Sequence, residues 1–111
     1  VCNTFVGMSI DLKTRKHHLA NKTGGLSGPA IKPLALNLVY QTVRAVQIPV
    51  IGIGGIASGE DALEFLLAGA KAVQIGTANF IDPASTLNVI EGIRRYCLKN
   101  GVKNLSELTM E

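Results

Sequence analysis

Two short apolar runs, each broken by a glycine turn, constrain most strongly how this chain folds. Val50-Ile51-Gly52-Ile53 runs into Gly54-Gly55, and Ala72-Val73-Gln74-Ile75 runs into Gly76-Thr77. A short continuous apolar run bounded by such a turn predicts a strand covered on both faces. Between the two runs, Ser58 with Asp61 three residues on predicts a helix start. Leu63, Phe65, Leu66 and Leu67 supply that helix's apolar side and Gly69 its stop. Strand, glycine turn, helix, strand, glycine turn is the order of parallel α/β architecture. The rhythm continues on both sides. Pro33 opens a helix whose Leu36, Val39, Tyr40, Val43 and Val46 recur at three-to-four spacing and which ends before Pro49. Asp82-Pro83 starts a long final helix with Leu87, Ile90, Ile93 and Cys97 along one side, closed by Asn100-Gly101. Asn104 and Glu107 predict a last short turn.

Length then limits the architecture. A (β/α)8 barrel takes about 250 residues, roughly 31 per strand-helix unit, so 111 residues hold about three and a half units. A whole barrel is excluded. A barrel fragment, an open sheet and a partial barrel closing against a second copy all remain. The first third departs from the rhythm: Val1 to Asn3 reads as the tail of a strand, yet nearly thirty residues separate it from Pro33. Connections that long are usually functional. Within it, Met8 to Leu12 and His17 to Ala20 predict the arms of a small exposed hairpin around Lys13-Thr14-Arg15-Lys16.

Composition excludes several function classes. With 47% hydrophobic residues and a formal charge of +3, the chain is globular. No apolar stretch approaches the roughly 20 residues that span a bilayer, and the N-terminus carries neither a basic leader nor a signal core. A cytoplasmic chain is expected. The basic cluster from Lys13 to His18 has no interleaved aromatics, so it predicts a solvated loop and no nucleic-acid platform. Cys2 and Cys97 lack metal-type spacing and are expected to be reduced. His17 and His18 point oppositely if they lie on a strand, so no metal site is expected.

In strand-helix units of one hand the C-terminal ends of the strands open on a common rim. Asn3, the Gly54-Gly55 turn and the Gly76-Thr77 turn are therefore expected to converge. Glycine turns let backbone approach an anion, and their amides, with the positive ends of following helices, can hold a phosphate. Thr77 adds a hydroxyl. Gly24-Gly25-Leu26-Ser27-Gly28, bounded by Pro29 and followed by the helix at Pro33, predicts a second amide-lined anion cradle facing the same rim. Lys32, beside the helix start, is expected to snorkel to water. Asp11 and Asp61 read as turn and capping residues.

The segments Asn3-Thr4-Phe5-Val6-Gly7-Met8 with Ile10-Asp11, Gly24 to Pro33, Ile51 to Ile56 and Gln74 to Phe80 closely resemble dihydroorotate dehydrogenases, specifically the class 1B catalytic subunit. The likeness covers nearly the whole chain. It implies an α/β chain forming the C-terminal portion of a (β/α)8 TIM barrel. One partial FMN-binding domain over 1–111 would run from the end of strand six to the C-terminal helix. It implies that Asn3 and Thr4 bind the pyrimidine, and that Gly28, Gly54, Gly55, Gly76 and Thr77 hold FMN, chiefly at its phosphate. Cys2 is expected to pack beside the flavin.

The family oxidises dihydroorotate to orotate, with electrons leaving through an iron-sulfur, FAD-containing partner to NAD, and a homo-oligomer is implied for the complete enzyme. The family's catalytic base is a cysteine on an earlier loop, which neither Cys2 nor Cys97 matches. The isolated chain is therefore expected to be inactive. The rivals are the pyrimidine domain of dihydropyrimidine dehydrogenase, which shares a Gly-Gly-x-Ser-Gly segment, a non-catalytic partial barrel acting as an assembly module, and generic phosphate binding without flavin.

Overall fold

The computed structural model describes residues 4–110; the expected strand tail at Val1 to Asn3 lies outside them. Each glycine-punctuated unit forms where periodicity places it. β5 (Ile51–Ile53) and β6 (Ala72–Gln74) pair in parallel, Gly52 opposite Val73. Helix α2 (Gly59–Leu67) makes the crossover between them. Its start is a complete capping box: the Ser58 hydroxyl accepts the Asp61 N–H, and the Asp61 carboxylate accepts the Ser58 N–H. Its end is a Schellman motif, with Gly69 at φ 104° and the N–H groups of Gly69 and Ala70 donating to Leu66 and Phe65 carbonyls. Helix α1 (Lys32–Ala45) starts one residue before the expected Pro33, after a 3₁₀ turn at Pro29–Ile31.

The helices cover one face of this sheet. Ala35 and Val39 of α1, Ala62 and Phe65 of α2, and Val89 of α4 (Ser85–Asn100) close over Val50, Ile56 and Ala70 in a single core. Phe65 is fully buried and lies on Gly52, where a Cβ would stand 2.7 Å from its ring. Burying a phenylalanine side chain contributes roughly 2–3 kcal/mol, so Gly52 is small because Phe65 needs the room. The opposite face of β5 is bare, with Ile51 46% exposed. The expectation of strands covered on both faces therefore fails. The sheet is a piece of barrel wall, helices outside and the inner face open.

Two further expectations are corrected. On α4 the buried side carries Ser85, Val89 and, partly, Ile93, whereas Leu87 and Ile90 are exposed. The reason is a close crossing: α2 meets α4 where a Cβ on Gly59 would lie 2.6 Å from the Gly92 Cα, and this selects the stripe containing Gly92. A four-residue helix, α3 (Ala78–Ile81), also precedes α4.

In the first third, β1 (Phe5–Met8) pairs antiparallel with β4 (Thr23–Leu26), and between them β2 (Ile10–Asp11) pairs with β3 (Lys16–His17). The hairpin tip forms as expected, Asp11 accepting the N–H groups of Lys13 and Thr14. Gly24 and Gly25, read from sequence as cradle, are strand residues facing Gly7 and Val6. Gly25 has room for no side chain, because Thr4 occupies the Cβ position. After α4, Asn104 caps the short turn Leu105–Glu107, and Leu108 packs on Leu63 and Leu66 of α2.

Candidate functional site

The C-terminal ends of β5 and β6 and the end of β4 open into one cleft of about 140 Å³. Gly28, Gly54, Gly55, Gly76 and Thr77 all line it, and so does Thr4. Asn3 lies outside the described residues. The convergence expected of the glycine turns is therefore observed. So is the participation of the segment before α1, through Ser27, Gly28, Pro29 and Ile31.

Each arm has its own geometry. Gly28 sits at φ 87° and Gly54 and Gly55 at φ 126° and 76°, a region that side-chain-bearing residues rarely enter. The Thr77 hydroxyl donates to Ser27 Oγ at 2.8 Å, tying the β6 turn to the end of β4. Gly76 differs from the other glycines: its φ is ordinary, and a Cβ added there would meet nothing within 4 Å. Among the described residues no charged side chain lines the cleft. Its polar groups are backbone, the hydroxyls of Thr4, Ser27 and Thr77, and the Gln74 carboxamide, set against apolar Ile31, Ile53 and Ile81. Such a surface suits a ligand with an anionic end and an apolar body.

Two sequence expectations change here. The N-terminus of α2 is disfavoured for an anion, because the Asp61 carboxylate sits there, accepting the Ala57 and Ser58 N–H groups while Ser58 caps the Asp61 N–H, and α3 is a single turn. Any anion contact therefore falls to the glycine turns themselves. Lys32 does not run to water. Its ammonium donates to Asp61 Oδ1 at 2.7 Å and to Glu64 Oε1 at 2.8 Å. These bonds raise the Lys32 pKa above its ordinary value. Burial pushes the Asp61 carboxyl up, but the Lys32 ammonium and the Ala57 N–H outweigh it and the net shift is downward. Gln74 was not singled out from sequence. The available signal was a polar residue inside an apolar strand run, two positions before Gly76 and hence on the same face.

The family model described as "Dihydroorotate dehydrogenase" matches residues 1–97. The chain belongs to the dihydroorotate dehydrogenase family. Among its relatives is the "Dihydroorotate dehydrogenase B (NAD(+)), catalytic subunit" of Geobacter metallireducens, 60% identical over 106 residues. The protein of the same name from Thermodesulfovibrio yellowstonii is 56% identical over 106 residues. Each match takes in 96% of this chain and 35% of the relative, so the chain spans about a third of their length. A solved dihydroorotate dehydrogenase from Eimeria tenella, in complex with ferulenol, superposes with a TM-score of 0.73 at 25% identity, over 92% of this chain and 28% of that one. The fold is thus a portion of a dihydroorotate dehydrogenase barrel, as the resemblance implied. These relatives carry the name of the dihydroorotate enzyme, not of the dihydropyrimidine enzyme. Among the described residues no helix is long and apolar enough to cross a membrane.

Proposed function

We propose that this chain is the flavin-anchoring part of an NAD-linked, B-type dihydroorotate dehydrogenase, and that its cleft holds the phosphate end of FMN. The observation that carries the reading is the meeting of Gly28, Gly54-Gly55 and Gly76-Thr77 in one cleft that, among the described residues, holds no charged side chain. Neutral donors on fixed turns can hold a phosphate at close range, and no carboxylate repels it. The open space beside Gly76 gives the group room to approach backbone. Bound there, FMN supplies the hydride acceptor for oxidation of dihydroorotate to orotate. Thr4, at the edge of the cleft, and Asn3 would orient the pyrimidine through hydroxyl and carboxamide. Among the described residues no cysteine, histidine, carboxylate or lysine lines the cleft, and the family's base cysteine matches no residue of this chain, so the chain alone is expected not to turn over. The same reading, from the family resemblance, gives the complete enzyme a homo-oligomeric, cytoplasmic form and an iron-sulfur, FAD-containing partner that passes electrons to NAD.

Two glycine substitutions test the proposal. Gly76→Ala meets open space, so its stability stays within about 0.5 kcal/mol of the parent chain. An added methyl on the phosphate side nevertheless weakens FMN at least about tenfold, the equivalent of 1.4 kcal/mol. Gly55→Ala must hold φ 76° while meeting the Lys32 backbone at 2.7 Å, and it destabilises the chain by about 2 kcal/mol or more with or without flavin. Urea unfolding and quenching of flavin fluorescence measure the two quantities. Undiminished FMN binding by a folded Gly76→Ala chain would remove the phosphate from this cleft.

A further inference from the structure

We propose that Lys32 is a positioning residue for the cleft: by pairing with Asp61 and Glu64 it holds the Gly28 loop at a fixed distance from the Gly54-Gly55 turn. The inference rests on the phosphate reading above and adds to it a residue outside the cleft lining.

Gly28 and Gly54-Gly55 belong to different units of the fold. β4, which leads to Gly28, pairs with β1, and β5, which leads to Gly54, pairs with β6. Among the described strands, none of one sheet pairs with a strand of the other. Lys32 bridges the two arms. Its backbone N and Cα stand 2.7 and 2.8 Å from the point a Gly55 Cβ would occupy, so the start of α1 lies directly against the glycine turn. That contact is close packing of backbone against backbone. The side chain adds direction to it. Its ammonium reaches Asp61 Oδ1 at 2.7 Å, while Asp61 Oδ2 accepts the N–H groups of Ala57 and Ser58 at 3.0 and 3.1 Å.

A closed circuit results: the 3₁₀ turn after Gly28, then Lys32, Asp61, Ala57 and back to Gly55. Side-chain exposures of 25% for Lys32 and 19% for Asp61 place the pair in partial shelter, where screening is weaker than at an open surface. Because the ammonium is committed to two carboxylates, its contribution to a ligand is geometric. Binding groups must be held within roughly 0.5 Å to act together, and this circuit adds to the Thr77–Ser27 hydrogen bond a directed tie between the start of α1 and the Gly54-Gly55 turn.

The test uses the 111-residue chain with Lys32→Met, Lys32→Arg and Glu64→Gln. Flavin fluorescence is titrated with FMN and with riboflavin, which lacks the phosphate, and amide spectra of Gly28 and Gly55 are recorded without flavin. Lys32→Met is expected to lower the FMN-to-riboflavin affinity ratio about tenfold by weakening FMN alone, and to shift both glycine amides. Lys32→Arg keeps the charge and restores most of the ratio. Should Lys32→Met not fold, Glu64→Gln, which removes one of the two pairings and leaves the α2 cap intact, carries the same test with a smaller drop in the ratio. An unchanged ratio in the folded variants, or equal weakening of both flavins, overturns the positioning role. If the parent chain itself does not prefer FMN, the phosphate reading fails. The glycine amides then decide for Lys32: movement in Lys32→Met upholds the tie, and unmoved resonances overturn it.

Discussion

At the scale of single residues, glycines that look alike in sequence divide by what surrounds them. Gly52 and Gly55 are filled around by Phe65 and by the Lys32 backbone, whereas Gly76 faces open space. The first two are packing requirements of the fold, and the third is the one whose smallness nothing in the fold explains. Sequence revealed the positions, because a glycine turn after an apolar run is a local signal. It could not reveal which glycine serves which purpose, since the neighbours that decide come from elsewhere in the chain. The same distance hid the Lys32–Asp61 pair, whose members lie 29 residues apart.

That pair makes a pH-dependent contribution whose sign follows from the two shifts. Asp61 is lowered on folding, so its share is present above the ordinary carboxylate range and is lost as pH falls through the lowered value, below about pH 4. Lys32 is raised, so its share is present below about pH 10.4 and is lost as pH rises through the raised value above that. The stability difference between the parent chain and Lys32→Met, measured by urea unfolding, is expected to stay flat from about pH 5 to 9, at no more than about 1 kcal/mol. It should shrink at both extremes. A difference that changes steadily through neutral pH would assign the effect to other groups.

At the scale of elements, periodicity and caps foretold α1, α2, β5, β6 and α4 within a residue or two of each observed span. Those signals are carried by neighbours in sequence. Pairing was less legible. β1 finds β4 from about fifteen residues away, across an intervening hairpin, and nothing local to Gly24-Gly25 announces that they are strand residues. The face chosen by α4 was misread because two stripes compete. Leu87 and Ile90 are the more apolar, yet the stripe of Ser85, Val89 and Gly92 is buried because Gly92 lets the backbone of α4 come against Gly59. Close approach of helix backbones outweighs the hydrophobicity of two leucine-sized side chains. Gly92→Ala is therefore expected to wedge α2 from α4 and to destabilise the chain by roughly 1–3 kcal/mol, even though alanine is the better helix former by about 1 kcal/mol. Thermal unfolding that rose in Gly92→Ala would mean that the crossing has slack, and would remove this explanation of the buried face.

At the scale of the whole molecule, surface is the measure that matters. A compact monomer of 11.7 kDa exposes about 5,900 Å² by the usual scaling with mass, whereas this chain exposes 7884 Å². Its radius of gyration, 16.4 Å, likewise exceeds the roughly 13 Å expected of a compact domain of this length. The excess surface includes the bare inner face of the sheet at Ile51, the outer stripe of α4 at Leu87, Ile90 and Leu98, and the exposed Phe80 and Ile81 of α3. A barrel wall needs neighbouring wall: its apolar inner face is a surface that only more polypeptide can cover. The same openness that lets the glycine turns face a ligand leaves the sheet incomplete. The chain by itself is expected to self-associate, its mass by light scattering rising with concentration and its Ile51 side chain losing solvent exposure in step. Ile51→Lys should lower the association without abolishing the fold, since that side chain lies outside the core. A mass of 11.7 kDa that holds at every concentration, with the Ile51 side chain still open to solvent, would show that the open sheet is stable in water, and the argument from excess surface would fail.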